Sequence, residues 1–346
     1  MLAAACAFLS ACASDTATEE ATPVAPAAPN ESTTTTEEST TTTTTTEEAT
    51  TTTAAPDLAE GPGCAALTPG QVSIVMESAG ASYDVRIFIP PDFDGATLPA
   101  VVNWHGLGSS GPEQATYSGY ETVAGAEGFI VVHPTGIPTP GTSQNSWELI
   151  DAQDPTRDDV AFAVDLFDAL EAQWCVDGDR IFSTGMSNGG FFTARLVCEI
   201  PERLAGAISV AGVFHPEGCE PSEAVPFLAF HGTDDDVVPF DGSGESVLVE
   251  DGDAVAAEFF SQVMPDEFAE FAADFGCGPA TTTEVSPEVI RYDYPGCGVE
   301  MSFFEVTGGG HTWPDSPLAA LTAVLGYTTT DVSATEDGWA FFDRAG

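Results

Sequence analysis

Residues 180–190 read RIFSTGMSNGG. The stretch passes from a strand-like run, RIFSTG (180–185), straight into a segment of helical spacing over 188–198. At the junction lies G-x-S-x-G, formed by Gly185, Ser187 and Gly189, its one occurrence in the chain. A serine on a tight strand-to-helix turn stands clear of the sheet with its hydroxyl available. Small residues are required at 185 and 189, because a Cβ there would meet the neighbouring strand and helix. The helix N-terminus behind Ser187 favours negative charge developing beside it. The competing reading is a glycine-rich turn without chemistry, and the flanking strand and helix are what favour a nucleophile.

Outward from this stretch the chain alternates apolar runs with amphipathic segments. Strand-like runs occupy 83–90, 99–106, 129–134, 207–212, 226–232 and 302–308. Several are apolar without alternation, as strands buried on both faces of a parallel sheet should be. Helical spacing marks 158–174, with Asp158 as its cap, and also 265–276 and 334–344. The predicted class is α/β, a mostly parallel central sheet with helices on both faces. No internal repeat is visible.

A serine hydroxyl needs a general base, and the base needs an orienting acid. For a serine on such a turn, the acid and then the base follow it in the chain. His215, His231 and His311 follow Ser187, whereas His105 and His133 precede it. His311, in GGGHTWP, comes latest and leaves room for an acid before it. His231, at a strand end, is expected to hydrogen-bond locally, and His215 to be a loop residue near the site. The acid is expected in HGTDDDVVPF (231–240), where Asp234, Asp235 and Asp236 are all candidates on spacing alone. The tetrahedral intermediate needs two backbone donors. Asn188, next after the serine, should supply one. Leu107, in the glycine-rich NWHGLGSSG (103–111), should supply the other.

Four stretches now stand in order: VVNWHGLGSSG, GMSNGG, HGTDDDVVPF and GGGHTWP. Together they resemble the polyhydroxybutyrate depolymerase and feruloyl-esterase-like branch of the α/β-hydrolases, over about residues 64–345. The resemblance implies export, disulfides and no cofactor. No metal is expected, because no second carboxylate or His group is placed in sequence to complete a cluster with the three aspartates, and the triad already accounts for the site. The resemblance also places the acid: the family pattern H-G-T-x-D-x-x-V-P followed by an aromatic puts it at Asp235. Asp234 and Asp236 are then solvated neighbours, whose like charge should favour the neutral form of Asp235. The family's flanking cysteine pairs recur in DFGC…YPGC (274–297). Residues 241–264 depart from the pattern and are expected to form a lid. Nothing resembles the added substrate-binding module of polymer-degrading members, which speaks against attack on solid polyester.

The chain has 346 residues, with 7 arginines, no lysine and 55 acidic residues, for a formal net charge of −48. That field repels nucleic acid and anionic membrane surfaces, and it reads as an adaptation for solubility or high salt. Residues 1–12 resemble a secretory signal, with LSAC (9–12) similar to a lipobox that would lipidate Cys12; an ordinary cleaved signal is the alternative. Residues 13–62 are Thr-, Glu-, Ala- and Pro-rich without an aromatic or basic residue, and read as a disordered tether. Residues 63–346 form the expected catalytic domain. Beyond Cys12 six cysteines remain, open to 15 pairings. Sequence proximity favours Cys198–Cys219 and Cys277–Cys297, which leaves Cys64–Cys175.

Trp147 and Trp313 are candidates to line a substrate pocket. Arg157 and Arg195 are expected to pair with local carboxylates. The expected protein is a secreted or surface-attached monomeric serine carboxylesterase. It would act on hydroxyalkanoate oligomers or on feruloyl and acetyl esters of plant polysaccharide, with membrane contact only through Cys12. Two other classes remain at this stage: a non-catalytic binding lipoprotein on an inactive hydrolase fold, and a peptidase of the same fold.

Overall fold

Val101, Val102, Val131, Val132, Phe182 and Ile208 are all without solvent exposure, and they lie on adjacent strands at the centre of one sheet. The computed structural model describes residue 64 and residues 67–138, 142–149, 157–243, 261–318 and 324–346. The expected signal segment, Cys12, the tether and most of the expected lid lie outside these described residues. The described residues fall in one compact unit, Pro56–Gly346.

Twelve strands are described: β1 (Gly70–Ser78), β2 (Ala81–Ile89), β3 (Leu98–Trp104), β4 (Ile130–Thr135), β5 (Ile137–Pro138), β6 (Asn145–Ser146), β7 (Val176–Met186), β8 (Gly206–Val210), β9 (Phe227–Gly232), β10 (Thr281–Ser286), β11 (Val289–Asp293) and β12 (Met301–Val306). Ten form one sheet in the order β1-β2-β4-β3-β7-β8-β9-β12-β11-β10. The six central strands, β4 to β12, pair in parallel. Their apolar runs face helices on both sides, which is what a parallel arrangement requires. The margins are antiparallel. At one of them β1 and β2 join through Ala79 and Gly80, both at positive φ (49° and 82°), the geometry of a two-residue primed hairpin turn.

The α-helices among the described residues are α1 (Gly111–Ser118), α2 (Tyr120–Glu127), α3 (Asp159–Gln173), α4 (Asn188–Glu199), α5 (Met264–Asp274) and α6 (Glu336–Ala345). Asp158 caps α3 by accepting from the Ala161 N–H at 2.8 Å. One face of the sheet buries Phe162 and Phe167 of α3 with Phe192 and Leu196 of α4. The other buries Tyr120 and Ala124 of α2 with Trp339, Phe341 and Phe342 of α6. Trp339 stacks on Phe129 at 3.7 Å between ring centroids. Each such large side chain contributes about 1.5–3 kcal/mol on burial.

The six cysteines pair as Cys64–Cys175, Cys198–Cys219 and Cys277–Cys297, separated by 111, 21 and 20 residues. Crosslinks over such loops restrict the unfolded chain and stabilise by roughly 2–5 kcal/mol each.

Candidate active site

Ser187 follows the last residue of β7 and makes the turn into α4 with φ 55° and ψ −121°, a conformation that only a tightly constrained side-chain-bearing residue keeps. The constraint is steric. A Cβ at Gly185 would lie 2.3 Å from the Gly189 carbonyl oxygen, and one at Gly189 would lie 2.2 Å from that of Trp104. The turn therefore packs backbone on backbone, with Ser187 8% exposed. Its own N–H donates to Val210 O of β8 at 2.8 Å.

The neighbouring strands deliver the other candidates to the same edge. Because β7, β8, β9 and β12 run parallel, the loops after them all emerge at their carboxyl ends. Adjacent strands are spaced by ~4.8 Å, so the loops after β7 and β9 start roughly 10 Å apart. The loops after β9 and β12 touch: Asp234 N–H donates to Gly309 O at 2.9 Å. A Cβ at Gly232 would lie 2.2 Å from that same oxygen.

On these two loops Asp235 and His311 form a buried pair. His311 Nδ1 lies 2.8 Å from Asp235 Oδ2. A carboxylate only accepts, so Nδ1 carries the proton and Nε2 of the neutral ring is left as the acceptor. Asp235 Oδ1 accepts from the N–H groups of Val237 and Val238, each at 2.8 Å. Burial pushes the Asp235 carboxyl up. The electrostatic attraction of the facing His311 ring and the hydrogen bonds from His231 and His311 outweigh it and hold the group well below the usual carboxylate range. The expectation that its acidic neighbours favour the neutral form is thereby corrected: Asp234 and Asp236 point into solvent, which screens them, while the histidines lie inside.

His231 does more than bond locally. Its Nε2 donates to Val238 O at 2.8 Å and lies 3.4 Å from Asp235 Oδ2, bracing the turn that carries the acid.

Opposite, the 105–109 loop approaches the serine closely. A Cβ at Gly106 would lie 3.4 Å from Ser187 Cβ. Asn188 is the first residue of α4, so its N–H is outside the helix's own ladder. His105 is buried and keeps its ring within this loop: Nδ1 donates to Gly106 O at 2.7 Å and Nε2 accepts from Gly136 N–H at 2.9 Å. Burial lowers its pKa to about 4. His215, on the loop after β8, has its Nε2 2.7 Å from Asp274 of α5. A grouping of His215, Cys219 and Asp274 is not a metal set, because the Cys219 sulfur is bonded to Cys198.

The family model described as esterase PHB depolymerase matches residues 82–245. A protein named as an esterase, NocK of Nocardia uniformis subsp. tsuyamanensis, is 30% identical over 69% of this chain and 72% of its own length. The chain belongs to the polyhydroxybutyrate-depolymerase-like esterase family. An Aspergillus niger protein named as a feruloyl esterase C is 27% identical over 72% of this chain and 83% of its own. The solved acetyl xylan esterase of Aspergillus awamori shares the fold, with a TM-score of 0.52 at 17% identity, over 70% of this chain and 94% of that one. The chain spans less than half the length of some other curated relatives it matches.

The two tryptophans of this esterase do not line an open pocket. Trp313 is fully buried; its indole N–H donates to Thr335 Oγ1 at 2.9 Å. Trp147 is 1% exposed and packs on Trp104, Phe162 and Phe192. Both indoles find their hydrogen-bond partners inside the protein, so the rings are consumed by the core. Trp147 acts on the site from behind. Its N–H donates to Asn188 Oδ1 at 2.6 Å, its carbonyl accepts from Asn188 Nδ2 at 3.0 Å, and its indole donates to His105 O at 3.1 Å. Beside it, Gly108 N–H donates to Asn145 O, and Asn145 Nδ2 donates to Ser109 O.

Beneath this brace lies a buried polar network. Arg157 pairs with Asp159 and donates to Ser146 O at 2.6 Å. Asp159 also accepts from Tyr83 Oη at 2.8 Å and from Glu148 N–H at 2.6 Å. Arg195 pairs with Glu199 at 2.5 Å and donates to Glu148 O at 3.1 Å. Both arginines thus take local carboxylates while holding the 145–149 loop. No signal in NSWEL (145–149) marks it as a brace, because its role lies in backbone groups that every residue carries.

Proposed function

We propose that the protein is a serine carboxylesterase acting through an acyl-enzyme. The observation that carries this reading is the Asp235–His311 pair on the edge of the sheet where Ser187 stands on its strained turn. In the proposed reaction Ser187 Oγ attacks the ester carbonyl while His311 Nε2 takes its proton. The N–H groups of Asn188 and Leu107 receive the oxyanion. The C–O bond then breaks, the alkoxide takes the proton from His311, and the alcohol leaves. Water attacks the acyl-serine with His311 again as base, releasing the acid and restoring Ser187. Asp235 fixes the tautomer and steadies the imidazolium.

The substrates we assign are feruloyl or acetyl esters of plant polysaccharide, or hydroxyalkanoate oligomers. The relatives named as feruloyl and acetylxylan esterases support the first class. The family description supports the second. Export, with or without attachment at Cys12, fits three disulfides in one unit. A hydrolysis panel tests the assignment: a short nitrophenyl ester, methyl ferulate, acetylated xylan and hydroxybutyrate oligomers. Turnover of one of the last three at least as efficient as that of the nitrophenyl ester is expected. Turnover of the nitrophenyl ester alone would remove both substrate classes.

A further inference from the structure

The chain holds seven arginines and no lysine, and every one of the seven is ion-paired to a carboxylate within the fold. The histidines add no free cation. His105 and His133 are buried, and burial lowers their pKa values to about 4 and about 3. His215 is bound to Asp274, and His231 and His311 face Asp235. The loops that carry Asp235 and His311, in contrast, expose Asp234, Asp236, Asp241 and Asp315. A substrate approaching Ser187 thus meets exposed carboxylates and no unpaired cation among the described residues, within the field of a chain of charge −48.

We infer that this site selects esters by charge: it takes uncharged esters and discriminates against those carrying an anion near the scissile bond. The inference rests on the esterase reading of Ser187 and narrows it. Neutral acyl esters on polysaccharide fit such a site. Short hydroxyalkanoate oligomers ending in a carboxylate fit it less well, which ranks the polysaccharide esters first among the two substrate classes assigned above. Fields of this kind change local substrate concentration and association rates by ~10-fold or more, and salt removes the effect. Hydrolysis itself converts a neutral ester into a carboxylate, so the same field expels the product.

Three acetate esters test this with the full chain: 4-nitrophenyl acetate (neutral), 4-acetoxybenzenesulfonate (anionic) and 4-acetoxy-N,N,N-trimethylanilinium (cationic). Each kcat/KM is divided by the ester's own rate constant with imidazole, a neutral nucleophile, which removes differences in intrinsic reactivity. The measurement is made at ~0.01 M salt, where the Debye length is ~30 Å, and at ~1 M, where it is ~3 Å. Taking the ratio at each salt concentration cancels any effect of salt on folding. At low salt the anionic ester should fall ~10-fold below the neutral one, with the cationic ester at or above it, and the gap should close at high salt. In a chain carrying both Asp234→Asn and Asp236→Asn, the anionic ester should gain while the neutral one holds. Equal ratios for anionic and neutral esters at low salt would overturn the inference, as would a gap indifferent to salt. Failure to hydrolyse even the neutral ester would instead sink the esterase reading beneath it.

Discussion

Asn188 and Trp147 clasp each other twice: the Asn188 amide accepts from the Trp147 N–H at 2.6 Å and donates to the Trp147 carbonyl at 3.0 Å. The residue whose N–H is proposed to receive the oxyanion is thereby tied to the loop that braces 105–109. That loop carries the second proposed donor. The distance between the two donors is set by backbone groups joined through one side chain.

Replacing Asn188 by Ala removes both bonds and leaves the Trp147 carbonyl and N–H without their partner. We expect a loss of about 1–3 kcal/mol in unfolding free energy. We also expect kcat to fall by ~10-fold or more, with KM changing less, because the loss concerns groups engaged in the transition state. Urea denaturation and steady-state kinetics on one neutral ester check both. A variant of unchanged kcat would show that the clasp does not set the donors.

The three adjacent aspartates separate by burial. Asp235 is 4% exposed, whereas Asp234 and Asp236 are in solvent. Asp235→Asn should lower kcat by ~10³–10⁴, because His311 loses the acceptor that fixes its tautomer. Asp234→Asn and Asp236→Asn should leave a neutral ester within ~3-fold of wild type, as substitutions at solvated positions do. Single-variant kinetics on 4-nitrophenyl acetate decide between them, and a large loss at 234 or 236 would move the acid.

Two buried histidines make stability fall on acidification. Burial lowers His105 to about 4, and burial with the Arg86 charge lowers His133 to about 3, from an ordinary 6.5. Their folded values lie below the unfolded one, so the unfolded chain binds protons first. Stability is then fully present above about pH 6.5 and is lost as pH falls toward the folded values, at about 1.4 kcal/mol per pH unit for each group. Asp235 has the same sign over a lower window, below about pH 4. Between pH 7 and 5, wild type should lose about 2 kcal/mol more than His133→Gln, the share that His133 carries. Urea denaturation at the two pH values measures this, and identical slopes would contradict the assignment of His133 as a neutral buried group.

The parallel centre was legible because its strands are uninterrupted apolar runs. The serine turn was legible because only glycine fits at 185 and 189. Asp235 was legible only through the family pattern, since three aspartates in a row carry no spacing signal and burial separates them. β1 was missed although QVSIVMES (71–78) alternates. Only the hairpin turn at Ala79–Gly80 shows it to be an antiparallel margin strand. β10, with residues Thr281–Val285 exposed, lacked any apolar pattern to read. The two tryptophans were misplaced for a different reason. Composition marks a large amphipathic ring, but whether its N–H meets water or Thr335 and His105 depends on chain segments that come together only in the fold.

The central claim is that Ser187 is the nucleophile. The most direct measurement is covalent labelling of the full chain with a fluorophosphonate, read by intact mass and peptide mapping, alongside turnover of 4-nitrophenyl acetate. The account predicts one adduct, on Ser187, with turnover lost in proportion to labelling. It also predicts that Ser187→Ala takes no label and falls at least ~10³-fold in kcat. Labelling elsewhere, or a Ser187→Ala chain that hydrolyses the ester at the wild-type rate, would contradict it.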